Sequence, residues 1–270
     1  MGERRYTLDD LRYLMARLRD PADGCPWDRE QNFNSIIKYS IEEVYELADA
    51  IAQADYKQVC DELGDVLFQV IFFSQMAQEQ NAFEFSDVTD GIVRKLLRRH
   101  PHVFPDGNLT ERFGGTSSRA DTVKEQWESI KAAERQNRQL LSALDDVPAS
   151  LPALSRAHKL QKRAAQVGFD WNDIESIFAK IDEETAELRE AMREESEQEI
   201  EAEFGDLLFA CVNLARHLNI DSETALRSAN RKFDRRFRYI EDRLADEGRT
   251  PDDAALDEMD RLWNEAKRRE

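Results

Sequence analysis

Apolar residues recur every three or four positions along most of the chain, which is the spacing of helices with one buried face. Read with its turn residues, the pattern predicts helices over residues 7–19, 35–53, 56–80, 86–100, 154–166, 174–195, 197–218, 222–246 and 255–268. Thr7 and Asp10 suit a capping box at the first of these. A loop is expected over 21–34, and two breaker-rich stretches over 101–118 and 145–152. No run alternates apolar and polar residues between turn signals, so no substantial sheet is expected.

The same landmarks occur twice. Glu42-Glu43-x-x-Glu46 precedes Glu62-Leu-Gly-Asp65, and Glu183-Glu184-x-x-Glu187 precedes Glu203-Phe-Gly-Asp206. Each copy sets its two motifs 20 residues apart, and 141 positions separate the copies. Gly24-Cys-Pro-Trp27 is matched by Gly168-Phe-Asp-Trp171, Lys95-Leu-Leu-Arg-Arg99 by Lys232-Phe-Asp-Arg-Arg236, and Trp127 with Lys131 by Trp263 with Lys267. Such self-similarity predicts tandem duplicated domains. The fold class expected is all-α, with two helical bundles over 1–150 and 151–270.

On the first acidic helix Ile37, Ile41, Val44 and Ala48 form an apolar stripe, and the three glutamates fall on the other side. Alone, that is an ordinary solvated face. The next helix differs. Apolar residues surround Glu62 and Asp65 in nearly every direction (Leu63, Val66, Leu67, Phe68, Val70), so it should be buried on most sides. The same holds around Glu203 and Asp206. Paired carboxylates on such a helix are costly unless paired or metal-bound. A short connection makes the two helices antiparallel, so four or five carboxylates can converge. Hard oxygen donors at that density suit Mg²⁺, with Mn²⁺ as a substitute. Gly64 and Gly205, between the paired acids, are expected to admit a close backbone. Carboxylate-bridged iron would add Glu-x-x-His motifs, and none precedes His100, His102, His158 or His217.

Bulk properties narrow the partners. The net charge of -18 argues against nucleic acid or an anionic membrane surface, but a local metal can still attract phosphate. Only 10 glycines and 7 prolines interrupt the chain, which favours long helices. Cys25, Cys60 and Cys211 form no CxxC pair, so a reducing cytoplasm is expected rather than a disulfide framework. The start of the chain has charges throughout and is not read as a signal peptide. A metal-bound polyphosphate also needs cations. Lys232, Arg235, Arg236 and Lys267 are candidates in the second half, and Lys95, Arg98, Arg99 and Lys131 in the first. Trp263 and Trp127 can stack on a base or simply pack.

Taken together, the two acidic motifs resemble those of the MazG nucleoside triphosphate pyrophosphohydrolases, and the duplication is similar to that of two-domain bacterial members. Gly24-Cys-Pro-Trp-Asp28, Arg98-Arg-His-Pro-His-Val-Phe104, Val167-Gly-Phe-Asp-Trp171 and Asn213-Leu-Ala-Arg-His217 carry the likeness further. The resemblance implies the all-α bundle shared with dimeric dUTPases and phosphoribosyl-ATP pyrophosphohydrolases, and a homodimer. It implies Mg²⁺-dependent hydrolysis of NTPs and dNTPs to monophosphate and pyrophosphate, with broad substrate choice and a house-cleaning role. By motif matching, Glu183, Glu184, Glu187, Glu203 and Asp206 hold Mg²⁺ or orient water. Lys232, Arg236 and Lys267 then contact phosphates, Trp263 the nucleotide, and Asn230 is a further substrate-binding residue. The first-half counterparts are Glu42, Glu43, Glu46, Glu62, Asp65, Lys95, Arg99, Trp127 and Lys131. Asn230 corresponds to Val93, which points to the second half as the main catalyst. The alternative for the first half is a nucleotide-sensing module with weak or no hydrolysis.

Overall fold

In a computed structural model, the described residues are 5–109, 123, 126, 127, 129, 130, 134, 142–194 and 196–270. The chain divides into two compact units, Met1–Ala132 and Ala133–Glu270. Helices and turns make up the described residues of both, with no strand among them. No helix among them is long and apolar enough to cross a membrane.

The first unit comprises α1 (Leu8–Leu18), α2 (Pro26–Glu30), α3 (Phe33–Gln53), α4 (Tyr56–Glu79) and α5 (Phe85–Arg99). Local chemistry sets these ends. Thr7 and Asp10 form the reciprocal capping box at α1, and Asn32 with Ser35 forms another at α3. Ala54, in the left-handed region at φ 56°, ends α3. Asp55 then caps α4 by accepting from the Lys57 and Gln58 amides at 3.1 Å. Two residues thus join α3 to α4 and force the pair antiparallel. The short α2 lies within the expected 21–34 loop; Pro26 at its first turn suits that position. Met15, Ile36, Ile71, Phe72 and Met76 form the core between α1, α3 and α4.

The second unit comprises α6 (Ala153–Gln166), α7 (Ile174–Glu194), α8 (Glu197–His217), α9 (Ser222–Ala245), a 3₁₀ turn at Pro251–Asp253 and α10 (Leu256–Arg268). Here α7 and α8 repeat the hairpin of α3 and α4, and α6 packs on α8. The loop before α7 is tied down by Asp170, which accepts from Arg216 and lies 3.0 Å from His217 Nε2. Burial pushes the Asp170 carboxyl up, but these hydrogen bonds and the Arg216 charge outweigh it and leave it below its ordinary value of about 3.8. Asp170→Asn is expected to cost about 1–3 kcal/mol in denaturant unfolding near neutral pH. A depressed carboxyl contributes stability that is present above its ordinary value and lost as pH falls through the folded value. The gap between wild type and variant should therefore narrow as pH drops below about 3.8.

Two expectations about burial are corrected. The stripe Ile37, Ile41, Val44 and Ala48 on α3 is exposed, with Ile41 at 50%. The face that packs on α4 instead runs through Ile36, Ser40, Glu43, Leu47 and Ala50, spaced by three and four. Nor is α4 buried on most sides, since Leu63, Leu67 and Val70 are open, as are Phe204, Leu208 and Phe209 on α8. A cover on one side only leaves the far face of each hairpin apolar and uncovered.

Candidate active site

Because Glu43 lies on the packing face of α3, it points into the seam rather than to bulk solvent. On α4, Glu62 is buried and Asp65 is one turn further along the helix. Glu43, Glu62 and Asp65 each offer a carboxylate oxygen, all within 4.8 Å of one another. In the second unit the seam of α7 runs through Ile177, Ile181, Glu184, Leu188 and Ala191, and the converging trio is Glu184, Glu187 and Glu203, again within 4.8 Å. The two trios overlap at the repeat positions of Glu184 and Glu203. They differ in whether the third oxygen comes from the Asp65 position or from the Glu187 position.

Like charges this close disfavour full ionisation. Burial and then Asp65, Glu46, Glu62 and Glu42 raise the Glu43 carboxyl above its ordinary value. Burial and then Glu187, Glu184 and Asp206 raise that of Glu203. Glu42, Glu46 and Asp206 thus act on the clusters through their charge. A donor set of carboxylate oxygens alone suits a hard divalent cation, whose charge would relieve the repulsion.

Glu183 is not among the converging three but shares Lys180 with Glu184. Lys180 reaches it at 3.1 Å and Glu184 at 2.7 Å, and these hydrogen bonds, led by the one to Glu184, raise the Lys180 ammonium above its ordinary value. Lys180 was missing from the residues expected at the site, although its spacing of three and four before two glutamates is the ordinary helical ion-pair spacing. The repeat breaks at this point: Tyr39 occupies the matching position in α3, with Lys38 over its ring at 4.7 Å.

The expected phosphate and base contacts are only partly gathered. On α9 and α10, the Arg236 guanidinium lies 5.3 Å from the centre of the Trp263 ring, and Phe233 packs on the same ring at 5.3 Å. Arg235 and Arg236 both hold the Glu270 side chain at 2.6 Å. These pairs hold the Glu270 carboxyl down at about 2. Asn230, Lys232 and Lys267 are exposed and share in none of the described ion pairs of that cluster. In the first unit Lys95 is exposed, Arg99 is half-buried, and Trp127 is half-buried against the His100 ring at 5.6 Å. Lys131 lies outside the described residues. Gly64 and Gly205 do not admit a close backbone, since a Cβ at either would meet nothing within 4 Å.

Carboxylates gathered on the seam of an antiparallel helix hairpin, twice over, define an all-α protein with centres fit for a hard cation. The chain belongs to the MazG nucleotide pyrophosphohydrolase domain family, whose model matches residues 31–104 and 172–240. Each match spans one hairpin. The chain is 47% identical to the nucleoside triphosphate pyrophosphohydrolase of Escherichia coli K12, across 97% of this chain and 98% of the relative. It is 43% identical to the nucleoside triphosphate pyrophosphohydrolase/pyrophosphatase MazG of Thermotoga maritima, across 99% and 98%. It is also 46% identical to the Bacillus subtilis protein YabN, where 98% of this chain corresponds to 52% of that protein.

Proposed function

We infer that the protein hydrolyses nucleoside triphosphates and deoxynucleoside triphosphates to the monophosphate and pyrophosphate, and that the second half, 151–270, is the main catalyst. The observation that carries this is the carboxylate trio of Glu184, Glu187 and Glu203 with Lys180 beside it, in a chain of this family. Mg²⁺ would be held there by Glu184, Glu187, Glu203 and Asp206, where it would offset the negative charge of the polyphosphate and of the leaving group. Once Glu184 is committed to the cation, Lys180 keeps only its contact with Glu183 and can turn an N–H to a phosphate oxygen. One glutamate of the set orients the attacking water, and Asn230, Lys232, Arg236 and Lys267 receive the phosphates, with Trp263 against the nucleotide. Broad substrate choice fits a house-cleaning role in the nucleotide pool. For the first half, 1–150, the exchange of Lys180 for Tyr39 favours a nucleotide-sensing module with weak or no hydrolysis. A panel of NTPs and dNTPs with Mg²⁺ tests the reading: pyrophosphate with monophosphate is expected, and orthophosphate with diphosphate would overturn it.

Two outcomes follow from the same reading. Glu270 holds the guanidinium groups assigned to phosphate, so Glu270→Gln is expected to lower KM by about twofold to fivefold with kcat unchanged. An unchanged KM would remove Arg236 from the substrate site. The uncovered faces, carrying Ile37, Ile41 and Val44 on α3 and Leu63 and Leu67 on α4, are best covered by a second copy of the chain. Sedimentation is expected to show a homodimer of twice the 31.4 kDa chain mass.

A further inference from the structure

Beside the second carboxylate cluster lies a cavity of about 260 Å³. Lys180, Glu184 and Asp206 line one part of it, and Gln161, Trp171, Phe209 and Asn213 are among the residues that line the rest. The volume falls near the roughly 300 Å³ lower end of ligand pockets, which suits a flat ring system rather than a whole nucleotide. Gln161 is 7% exposed, and its orientation is fixed because Nε2 donates to the Phe209 carbonyl at 2.7 Å. Its Oε1 is buried with no hydrogen-bond partner among the described residues. A buried acceptor held in this way calls for an N–H donor from a bound molecule. Asn213, also buried, turns Oδ1 to Arg216 at 2.7 Å, which leaves its Nδ2 end as the donor it can offer.

The first unit treats the matching space differently. At the same repeat offset, Ala210 becomes Gln69, Asn213 becomes Phe72 and Lys180 becomes Tyr39. Phe72 is fully buried in one core cluster with Met15 from α1 and Ile36 from α3. Two larger side chains, Gln69 and Phe72, and a ring at Tyr39 therefore stand where the second unit keeps a polar-walled space.

We propose that this cavity receives the nucleobase of the substrate, with Gln161 Oε1 accepting an N–H from the base edge and the Trp171 and Phe209 rings against its faces. The triphosphate then extends past Glu184 and Asp206 to the cation site. The proposal rests on the hydrolase reading above and deepens it. It makes Gln161 and Asn213 the residues that read the base, leaves Trp263 to the rest of the nucleotide, and gives the first half no such space at this position.

The test uses the full chain with Mg²⁺ and compares two probes by calorimetry, a non-hydrolysable α,β-imido nucleoside triphosphate and inorganic pyrophosphate, which has no base. Gln161→Met removes the orphan acceptor at nearly constant side-chain size. Ala210→Leu fills the cavity while every polar side chain of its wall is kept, and thermal melting confirms that each variant folds. Either change is expected to weaken the imido nucleotide about tenfold or more while pyrophosphate binding stays within about twofold. Equal losses for both probes, or no loss for either, would overturn the proposal. The readout is binding, so it does not depend on turnover. Wild-type protein that releases no pyrophosphate from any triphosphate would instead sink the hydrolase reading, whatever the two variants show.

Discussion

Glu203→Gln is expected to lower the rate of pyrophosphate release roughly a hundredfold to a thousandfold. The substitution keeps shape and hydrogen-bonding reach while removing one negative charge from the trio that includes Glu184 and Glu187. It also removes the carboxyl that burial, and then its neighbours' charges, hold above its ordinary value. Two signs should therefore appear together. Activity falls, while the metal-free protein melts at the same temperature or higher because repulsion across the α7–α8 seam is relieved. Asp206→Asn, which acts on Glu203 through its charge, should weaken metal binding and activity in the same direction. Initial rates at saturating Mg²⁺, with melting curves in chelator, measure both signs. Near wild-type rates in both variants would dispose of the second-unit site.

Phe72→Ala is expected to destabilise the first unit by about 3–5 kcal/mol. Phe72 is 1% exposed, meets the Phe68 ring edge-on at 5.9 Å, and lies under the Arg19 guanidinium at 5.3 Å. Its truncation leaves a hole between α1, α3 and α4, and the walls relax only in part because Met15, Ile36, Ile71 and Met76 are themselves fully packed. Urea unfolding followed by two probes, one for each unit, should show the transition of the first unit moving to lower denaturant and that of the second staying in place. A loss under about 1 kcal/mol would mean that this core is looser than its burial implies.

Much of the helical framework was legible because its signals are local. Thr7 with Asp10, and the three- and four-residue spacing of apolar positions, depend on neighbours in sequence, and the helices begin and end within a residue or two of expectation. The acidic trios were legible for a related reason: a two-residue turn at Ala54 and Asp55 folds one helix back on the other, so the pairing is dictated nearby. The stripe Ile37, Ile41 and Val44 was misread because periodicity marks an apolar face without saying which molecule covers it. Gln161 was not legible at all. Its meaning depends on Phe209, 48 residues away, and on a substitution at Asn213 that only the packed core of the first unit makes visible. Lys180 stood in plain sight at helical spacing, but a motif read through its acids alone passes over it.

All the carboxylates of one cluster come from a single hairpin, so the stretch from Glu184 to Glu203 holds the whole converging set. A centre confined in this way is inherited as one piece. Duplication of the segment delivers a complete second copy at once, with no need to reassemble distant parts of the chain. The copies can afterwards diverge in their surroundings, exchanging a lysine for a tyrosine or an amide for a phenyl ring, while the carboxylates persist. Ancestry is thus preserved in the acids, and divergence is written in the residues around them.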